Sequence, residues 1–110
     1  MTSITFKLDK DNFYKGFICE GHAGYADAGE DIVCAGISTL TFTFINSVDE
    51  LLDMEIVVDA DSDNGFMDVS VTDYKDSSVQ LLFRSMVLGL KSIEDDYSKY
   101  LKLTNRREKP

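Results

Sequence analysis

Residues 31–51 read DIVCAGISTLTFTFINSVDEL. The apolar side chains of this stretch step by three or four, at Val33, Ile37, Leu40, Phe44, Val48 and Leu51. That spacing places them on one side of an α-helix, which turns once in about 3.6 residues. Asp31 stands just before the run, in a favoured N-cap position. The stretch therefore predicts a helix over residues 32–52. Its threonines and phenylalanines are poor helix formers, which leaves a strand over 36–45 as the alternative.

Short strands precede this helix. Ile4, Phe6 and Leu8 alternate with polar residues, which indicates a half-buried strand. Residues 9–12, DKDN, have turn chemistry, and residues 13–20 are rich in the Phe, Tyr and Ile typical of a second strand. Residues 21–30 carry three glycines and no apolar period, which predicts a mobile loop.

The second half of the chain repeats this order. A strand over 54–60 and a strand over 66–72 flank Asn64-Gly65, which is the strongest short hairpin signal. Ser77, with Gln80 three residues later, has the capping-box pattern that starts a helix, here over 77–97. Residues 100–103 can form a short last strand, and residues 105–110 are predicted as a frayed basic tail.

The element order therefore predicts an α+β fold of ββαββα order. Hairpins favour an antiparallel sheet, and two amphipathic helices can cover one of its faces, with a short C-terminal strand as a further element. The length of 110 residues fits one domain, 1–110, and the 44% hydrophobic content argues against disorder.

The composition indicates in which cellular compartment the protein acts and which classes of partner it can bind. The sequence has no run of about 18 apolar residues and no signal-peptide pattern at its start, which predicts a cytoplasmic protein with no membrane span. The net charge of −9 disfavours nonspecific binding to nucleic acid, which depends on Lys and Arg. It suits a basic peptide or protein partner, or serves solubility alone.

The supply of ligating side chains argues against a metal or cofactor. Two cysteines and one histidine are too few for a structural zinc site, which takes about four ligands. A disulfide between Cys19 and Cys34 is not expected in a reducing compartment. Cys19 ends an apolar strand and is predicted to be a core thiol.

The positions of Cys34 and His22 relative to the predicted helix suggest a nucleophile and a general base. Cys34 falls in the first turn of the predicted helix, where unpaired N–H groups favour a thiolate. His22, in the stretch GHAG, is the candidate general base, and the helix-start N–H groups can hold an oxyanion. Asp31, Cys34 and Ser38 share one helix face. Asp31 then caps the helix or orients His22, and Ser38 bonds the thiol or the substrate.

Plain structural roles are the alternative for these residues. A cysteine at a helix start is often a small buried hydrophobe, and a histidine beside glycines is often a turn residue. Local motifs of this kind do not transfer between families, so spacing alone leaves the assignment open.

The two motifs together resemble a known family. GHAG at 21–24 followed by GEDIVCAGIS at 29–38 is similar to the ribosomal-processing cysteine protease Prp family, as are the length, the element order and the acidic balance. The resemblance covers nearly the whole chain. Gly36 is a departure, because the family commonly has a second alanine after the cysteine; a slightly weaker helix is the expected effect.

The resemblance implies a bacterial endopeptidase with Cys34 as nucleophile and His22 as general base. Its substrate would be ribosomal protein twenty-seven of the large subunit, from which it removes a short N-terminal extension after a pair of aromatic residues, with basic residues beyond. It also implies a homodimer without cofactor. The loop that carries Gly21, Ala23, Gly24 and Gly29 would then close over the substrate.

Two other functions fit the same sequence. One is a non-catalytic ribosome-assembly module that grips a basic ribosomal protein, which would explain the charge and leave His22 and Cys34 structural. The other is a thiol enzyme of a different kind, such as an acyl-transfer hydrolase that acts on a small ester.

Overall fold

Strand pairs and helices alternate along the chain. The computed structural model describes residues 1–22, 24, 26 and 31–108. In chain order the elements are β1 (Thr2–Leu8), β2 (Tyr14–Glu20), α1 (Ile32–Asn46) with a π-helical turn (Ser47–Leu51), β3 (Ile56–Asp61), β4 (Phe66–Val71), α2 (Ser77–Asp96) and β5 (Leu101–Arg107). The predicted ββαββα order with a final strand is confirmed.

The helix α1 forms where the apolar stripe predicted it, and residues 36–45 are helical rather than extended. Its buried side is made by Val33, Ile37, Thr41 and Phe44, and Val48 continues it into the π-helical turn. The hydroxyl of Thr41 donates to the carbonyl of Ile37, 3.0 Å away. Burial of this stripe against the sheet outweighs the weak helix propensity of the threonines.

The described strands form a mixed sheet of order β3-β4-β2-β1-β5. Three neighbouring pairs are antiparallel: β1–β2 and β3–β4, which are the predicted hairpins, and β2–β4, which joins them. β5 instead runs parallel to β1, with partners from Thr2↔Leu101 to Leu8↔Arg107. A parallel partner requires a crossover connection, and α2 brings the chain back across the sheet before β5 begins.

β5 is longer than the sequence predicts. Residues 105–107, predicted as part of a frayed tail, belong to this strand, and the N–H of Glu108 still donates to the carbonyl of Leu8 at 2.7 Å. The open edge of β1 offers a row of unpaired backbone groups, and pairing with that edge orders residues whose side chains are polar and exposed.

The core lies between one face of the sheet and the two helices α1 and α2. Phe6 and Phe17 from the sheet and Phe83 from α2 are buried with at most 1% of their surface exposed. The rings of Phe44 and Phe83 lie 4.4 Å apart between centroids, so α1 and α2 meet through an aromatic pair. At the other end of α1, Val33 is 2% exposed and belongs to the same core, which holds the helix start against the sheet.

The start of α2 differs from the predicted capping box. Asp76, not Ser77, is the N-cap, and its carboxylate accepts from the N–H groups of Ser78 (2.9 Å) and Val79 (3.1 Å). The Gln80 amide donates to the carbonyl oxygens of Tyr14 and Tyr74, both at 2.7 Å. Gln80 is thus used to tie α2 to the start of β2, which a local pattern does not reveal.

The segment Ile32–Leu51 is long and apolar enough to cross a membrane by length and composition alone. In this structure Val33, Ile37 and Phe44 of the segment are buried in the core. Core helices of globular proteins pass the same compositional test, so the segment is weak evidence for a membrane span.

Candidate active site

The start of α1 places Cys34 as the sequence predicts. The Asp31 carboxylate accepts a hydrogen bond from the Cys34 N–H, with 2.9 Å between Oδ1 and N. The first helical bond runs from the Ala35 N–H to the Asp31 carbonyl, at 3.0 Å. Cys34 is therefore the third residue of the helix and is half-buried. The predicted N-cap at Asp31 is confirmed.

This cap changes the expected set of oxyanion donors. Because the Cys34 N–H is bonded to Asp31, it is not available to a substrate oxyanion. The N–H groups of Ile32 and Val33 also precede the first helical bond and have no intrahelical acceptor. The helix start therefore carries the partial positive charge of the helix dipole beside Cys34.

A groove opens beside Cys34, between α1 and the ends of β2, β3 and β4. This thiol groove has a volume of about 290 Å³ and is lined by both Cys34 and His22. Most of its wall is apolar, and the larger apolar side chains are Ile37, Phe42, Phe66 and Met67. A shape of this kind suits an extended peptide with bulky apolar side chains.

A second recess adjoins the groove on its outer side. It shares His22, Cys34 and Ser38 with the thiol groove and is also lined by Gly24, Ala26, Asp31 and Ala35. The structure thus gathers Cys34, His22, Asp31, Ser38 and Gly24 around one opening, and Gly21 lines the thiol groove. Ala23 and Gly29, the other predicted loop positions, lie outside the described residues.

Cys19 lies closer to the site than the sequence indicates. It is on β2, on the same face of the strand as the buried Phe17, and it lines the thiol groove with Cys34. Burial raises the pKa of the Cys19 thiol to about 11, and the nearby charges of Cys34 and Glu20 add to the effect. Cys19 therefore stays protonated at neutral pH and is a poor nucleophile.

The tip of the β3–β4 hairpin closes the groove beside His22. Ala60, Ser62 and Gly65 from this hairpin line the groove. The Gly65 carbonyl accepts a hydrogen bond from the Gly21 N–H, 2.8 Å away, which attaches the tip to the residue before His22. The sequence identified Asn64-Gly65 only as a turn, because a contact across more than forty residues leaves no local pattern.

The hairpin tip is ordered by its own hydrogen bonds. The Asp61 carboxylate accepts from the Asn64 side-chain amide at 2.6 Å. The bonds from Asn64 hold the pKa of the Asp61 carboxyl below its usual value. Within residues 1–22, 24, 26 and 31–108, no group of three or more His, Cys, Asp or Glu side chains is arranged to hold a metal ion.

Comparison with known proteins identifies the family of this chain. The family model described as Cysteine protease Prp matches residues 1–102. The ribosomal processing cysteine protease Prp of Bacillus subtilis is 32% identical over 108 residues, which cover 94% of this chain and 96% of that protein.

Solved structures with the same fold extend the comparison. The ribosomal processing protease Prp of Staphylococcus aureus, crystallised with a covalently linked product peptide, has a TM-score of 0.91 at 25% identity and covers 96% of this chain and 100% of its own. A Streptococcus mutans protein has a TM-score of 0.86 at 29% identity and covers 98% of this chain and 96% of its own. On the family match and the Bacillus subtilis relative, this chain belongs to the cysteine protease Prp family.

Proposed function

We propose that this protein is a cysteine endopeptidase that removes the N-terminal extension of ribosomal protein twenty-seven of the large subunit during bacterial ribosome maturation. One observation carries the proposal: Cys34 stands at a capped helix start, in the wall of a groove that it shares with the only histidine of the chain. Prp proteins of Bacillus subtilis and Staphylococcus aureus carry the name of ribosomal processing proteases, which supports the same reaction class.

In this mechanism Cys34 is the nucleophile and His22 is the general base. The imidazole takes the thiol proton, and the thiolate attacks the carbonyl carbon of the scissile peptide bond. The partial positive charge at the start of α1 stabilises the oxyanion that forms. The imidazolium then returns its proton to the leaving amine, which leaves a thioester on Cys34. Water, activated by the neutral imidazole, hydrolyses the thioester and frees the thiol.

The supporting residues have separate roles. Asp31 caps the helix and so fixes the direction of its first N–H groups. Ser38 lies one turn after Cys34 and lines both recesses, which supports a role for its hydroxyl in bonding the substrate backbone. The substrate loop, with Gly21, Ala23, Gly24 and Gly29, contacts the peptide in this proposal.

The groove and the net charge support this substrate. The apolar wall at Phe42, Phe66 and Met67 suits the pair of aromatic residues that precedes the cleaved bond in the family's substrate. The net charge of −9 attracts the basic residues beyond that bond and the basic ribosomal protein as a whole. We place the protein in the cytoplasm, where the ribosome matures, and as a homodimer, as in the family.

Incubation with the extended ribosomal protein tests this function. Intact mass spectrometry should show loss of the extension and a single new N-terminus after the aromatic pair. An extension with both aromatic residues replaced by alanine should be cut at least tenfold more slowly, since the apolar wall then has no partner. Tight binding of the ribosomal protein with no change in its mass would instead identify a non-catalytic assembly module.

A further inference from the structure

The contact between the β3–β4 hairpin and His22 bears on how the proposed base is held. The hairpin tip, residues 61–65, reaches the end of β2, where β2 and β4 pair up to Glu20↔Phe66. The bond from the Gly21 N–H to the Gly65 carbonyl extends that pairing by one step, at 2.8 Å. His22 is the next residue along the chain and is exposed, so burial of its own side chain does not hold it in place.

Gly65 lies unusually close to the imidazole. A Cβ atom at position 65 would stand 3.0 Å from His22 Nε2 and 2.9 Å from the Gly21 carbonyl oxygen. Ordinary contacts between carbon and such atoms are about 3.5–4.0 Å, so a side chain at this position would push the ring or the backbone of residue 21 away. The histidine therefore rests directly on the Gly65 backbone.

The other side of this segment is confined as well. Gly21 has a φ of +85°, and a Cβ atom there would stand 2.5 Å from the Met1 carbonyl oxygen. The backbone that leads into His22 thus passes between Met1 and Gly65. Met1 leaves no room for a side chain on residue 21, and residues 21 and 22 leave no room for one on residue 65. Such two-sided confinement defines the direction in which the imidazole leaves the backbone.

From these contacts we infer that Gly65 is a positioning residue for His22, and that the tip of the β3–β4 hairpin is the support on which the proposed general base rests. The inference depends on the proposed role of His22 in catalysis. It assigns to Gly65 a function beyond the turn, because the turn requires only the left-handed φ of +61° at this position. The close approach to the imidazole is a separate requirement.

Two substitutions separate these requirements. Asparagine tolerates the left-handed backbone region much better than alanine does, but both residues add a Cβ atom against His22. If the contact matters, Gly65→Asn and Gly65→Ala should both lower kcat for the extended ribosomal protein, by about tenfold to a hundredfold, the range expected for a small misplacement of a reacting group. The readout is kcat rather than KM, because Gly65 itself lines the thiol groove and a side chain there also changes the wall that meets the substrate.

Asn64→Ala is the matched control. It removes the side-chain bond from Asn64 to Asp61 and weakens the turn, but it adds no atom beside His22. It should lower thermal stability and keep kcat within about threefold of the wild-type value, as for a change that leaves the reacting groups in place. Loss of activity in Asn64→Ala equal to that in Gly65→Asn would show that turn stability, and not the contact at Gly65, is what matters.

A readout independent of cleavage is available because the chain has one histidine. Its ring resonances are therefore unique in an NMR spectrum. In the unmodified protein, nuclear Overhauser effects should connect the His22 ring protons with the Gly65 α-protons. Gly65→Asn should shift the His22 ring resonances at fixed pH, and Asn64→Ala should leave them near their wild-type positions.

These outcomes distinguish the inference from the proposed function. Overhauser effects between His22 and Gly65 would remain even if His22→Ala still cleaved, in which case the base assignment fails and the contact stands. Absence of these effects in the folded wild-type protein would overturn the inference, and so would a Gly65→Asn variant with wild-type kcat and unshifted His22 resonances.

Discussion

The carboxylate of Asp31 accepts a hydrogen bond from the backbone N–H of Cys34, with 2.9 Å between the two atoms. One contact thus sets both where the helix begins and how the proposed nucleophile is presented. It also removes the Cys34 N–H from the groups that can meet an oxyanion. Substitutions of Asp31 can therefore distinguish the effect of the helix cap from the effect of the carboxylate charge.

Asp31→Asn should preserve the site, and Asp31→Ala should not. Asparagine caps helices about as well as aspartate, so the free energy of unfolding should stay within about 0.5 kcal/mol of the wild-type value. Alanine removes the cap and should cost about 1 kcal/mol. Chemical denaturation measures both, and cleavage should follow the same order. A large loss of cleavage in a stable Asp31→Asn variant would show that the carboxylate charge acts on His22.

The proposed dyad predicts loss of activity without loss of fold. Cys34→Ala and His22→Ala should each abolish cleavage, because the first removes the nucleophile and the second removes the base. His22 is exposed and Cys34 is half-buried at the margin of the core, so unfolding free energies should change by no more than about 1–2 kcal/mol. Cys19→Ser is the matched thiol control and should retain cleavage. Near wild-type cleavage by either dyad variant would exclude the mechanism.

The two thiols should differ in their reaction with iodoacetamide. With its pKa raised to about 11 by burial, Cys19 is ionised in roughly one molecule in ten thousand at pH 7. Cys34 should therefore be labelled first at neutral pH, and the labelling rate of Cys19 should rise about tenfold per pH unit up to about pH 10. Peptide mapping after timed quenching gives both rates. Equal rates at pH 7 would contradict the distinction between the thiols.

The same shift predicts a change in stability at high pH. In the unfolded chain Cys19 ionises near its ordinary value of 9.0, whereas in the folded protein it stays protonated up to about 11. Its contribution to stability is present below pH 9 and is lost as the pH rises from about 9 to about 11. Denaturation at several pH values should show a smaller decline over this range in Cys19→Ala. An identical decline in both proteins would mean that Cys19 is not shielded.

Gly36→Ala should stabilise α1 without affecting catalysis. Alanine is favoured over glycine in a helix interior by up to about 1 kcal/mol. The new Cβ would stand 3.1 Å from Cδ1 of the half-buried Ile93, whose side-chain end must shift slightly. Gly89→Ala is the control, since its Cβ would meet Leu40 more closely, at 2.8 Å, and should gain less or lose stability. A Gly36→Ala variant less stable than wild type would show that Ile93 cannot move.

Features that depend only on residues close together in the sequence could be predicted. The stripe from Val33 to Val48 and the cap at Asp31 each depend on neighbours within four residues, so the helix start and the place of Cys34 followed from the sequence alone. The turn at Asn64-Gly65 could also be predicted, because its signal lies in two adjacent residues. Resemblance to the Prp family added the pairing of His22 with Cys34, which spacing by itself left open.

Features that depend on distant segments could not be predicted. The parallel pairing of β5 with β1 joins residues about a hundred positions apart, and residues 105–107, which have no apolar alternation, are ordered by pairing with β1. Gln80 fits a capping box in sequence, but in the fold its amide finds Tyr14 and Tyr74. The contact between Gly65 and His22 likewise exists only once β2 and β4 are paired.

The central claim, that Cys34 is the nucleophile and His22 activates it, is tested most directly by a peptidyl chloromethyl ketone that carries the aromatic pair at its reactive end. The thiolate displaces chloride and forms a stable thioether, and peptide mapping by mass spectrometry identifies the modified residue. We expect one adduct per chain, on Cys34, with its formation slowed at least tenfold in His22→Ala and unchanged in Cys19→Ser. An adduct on Cys19, or a rate at Cys34 that does not depend on His22, would contradict the account.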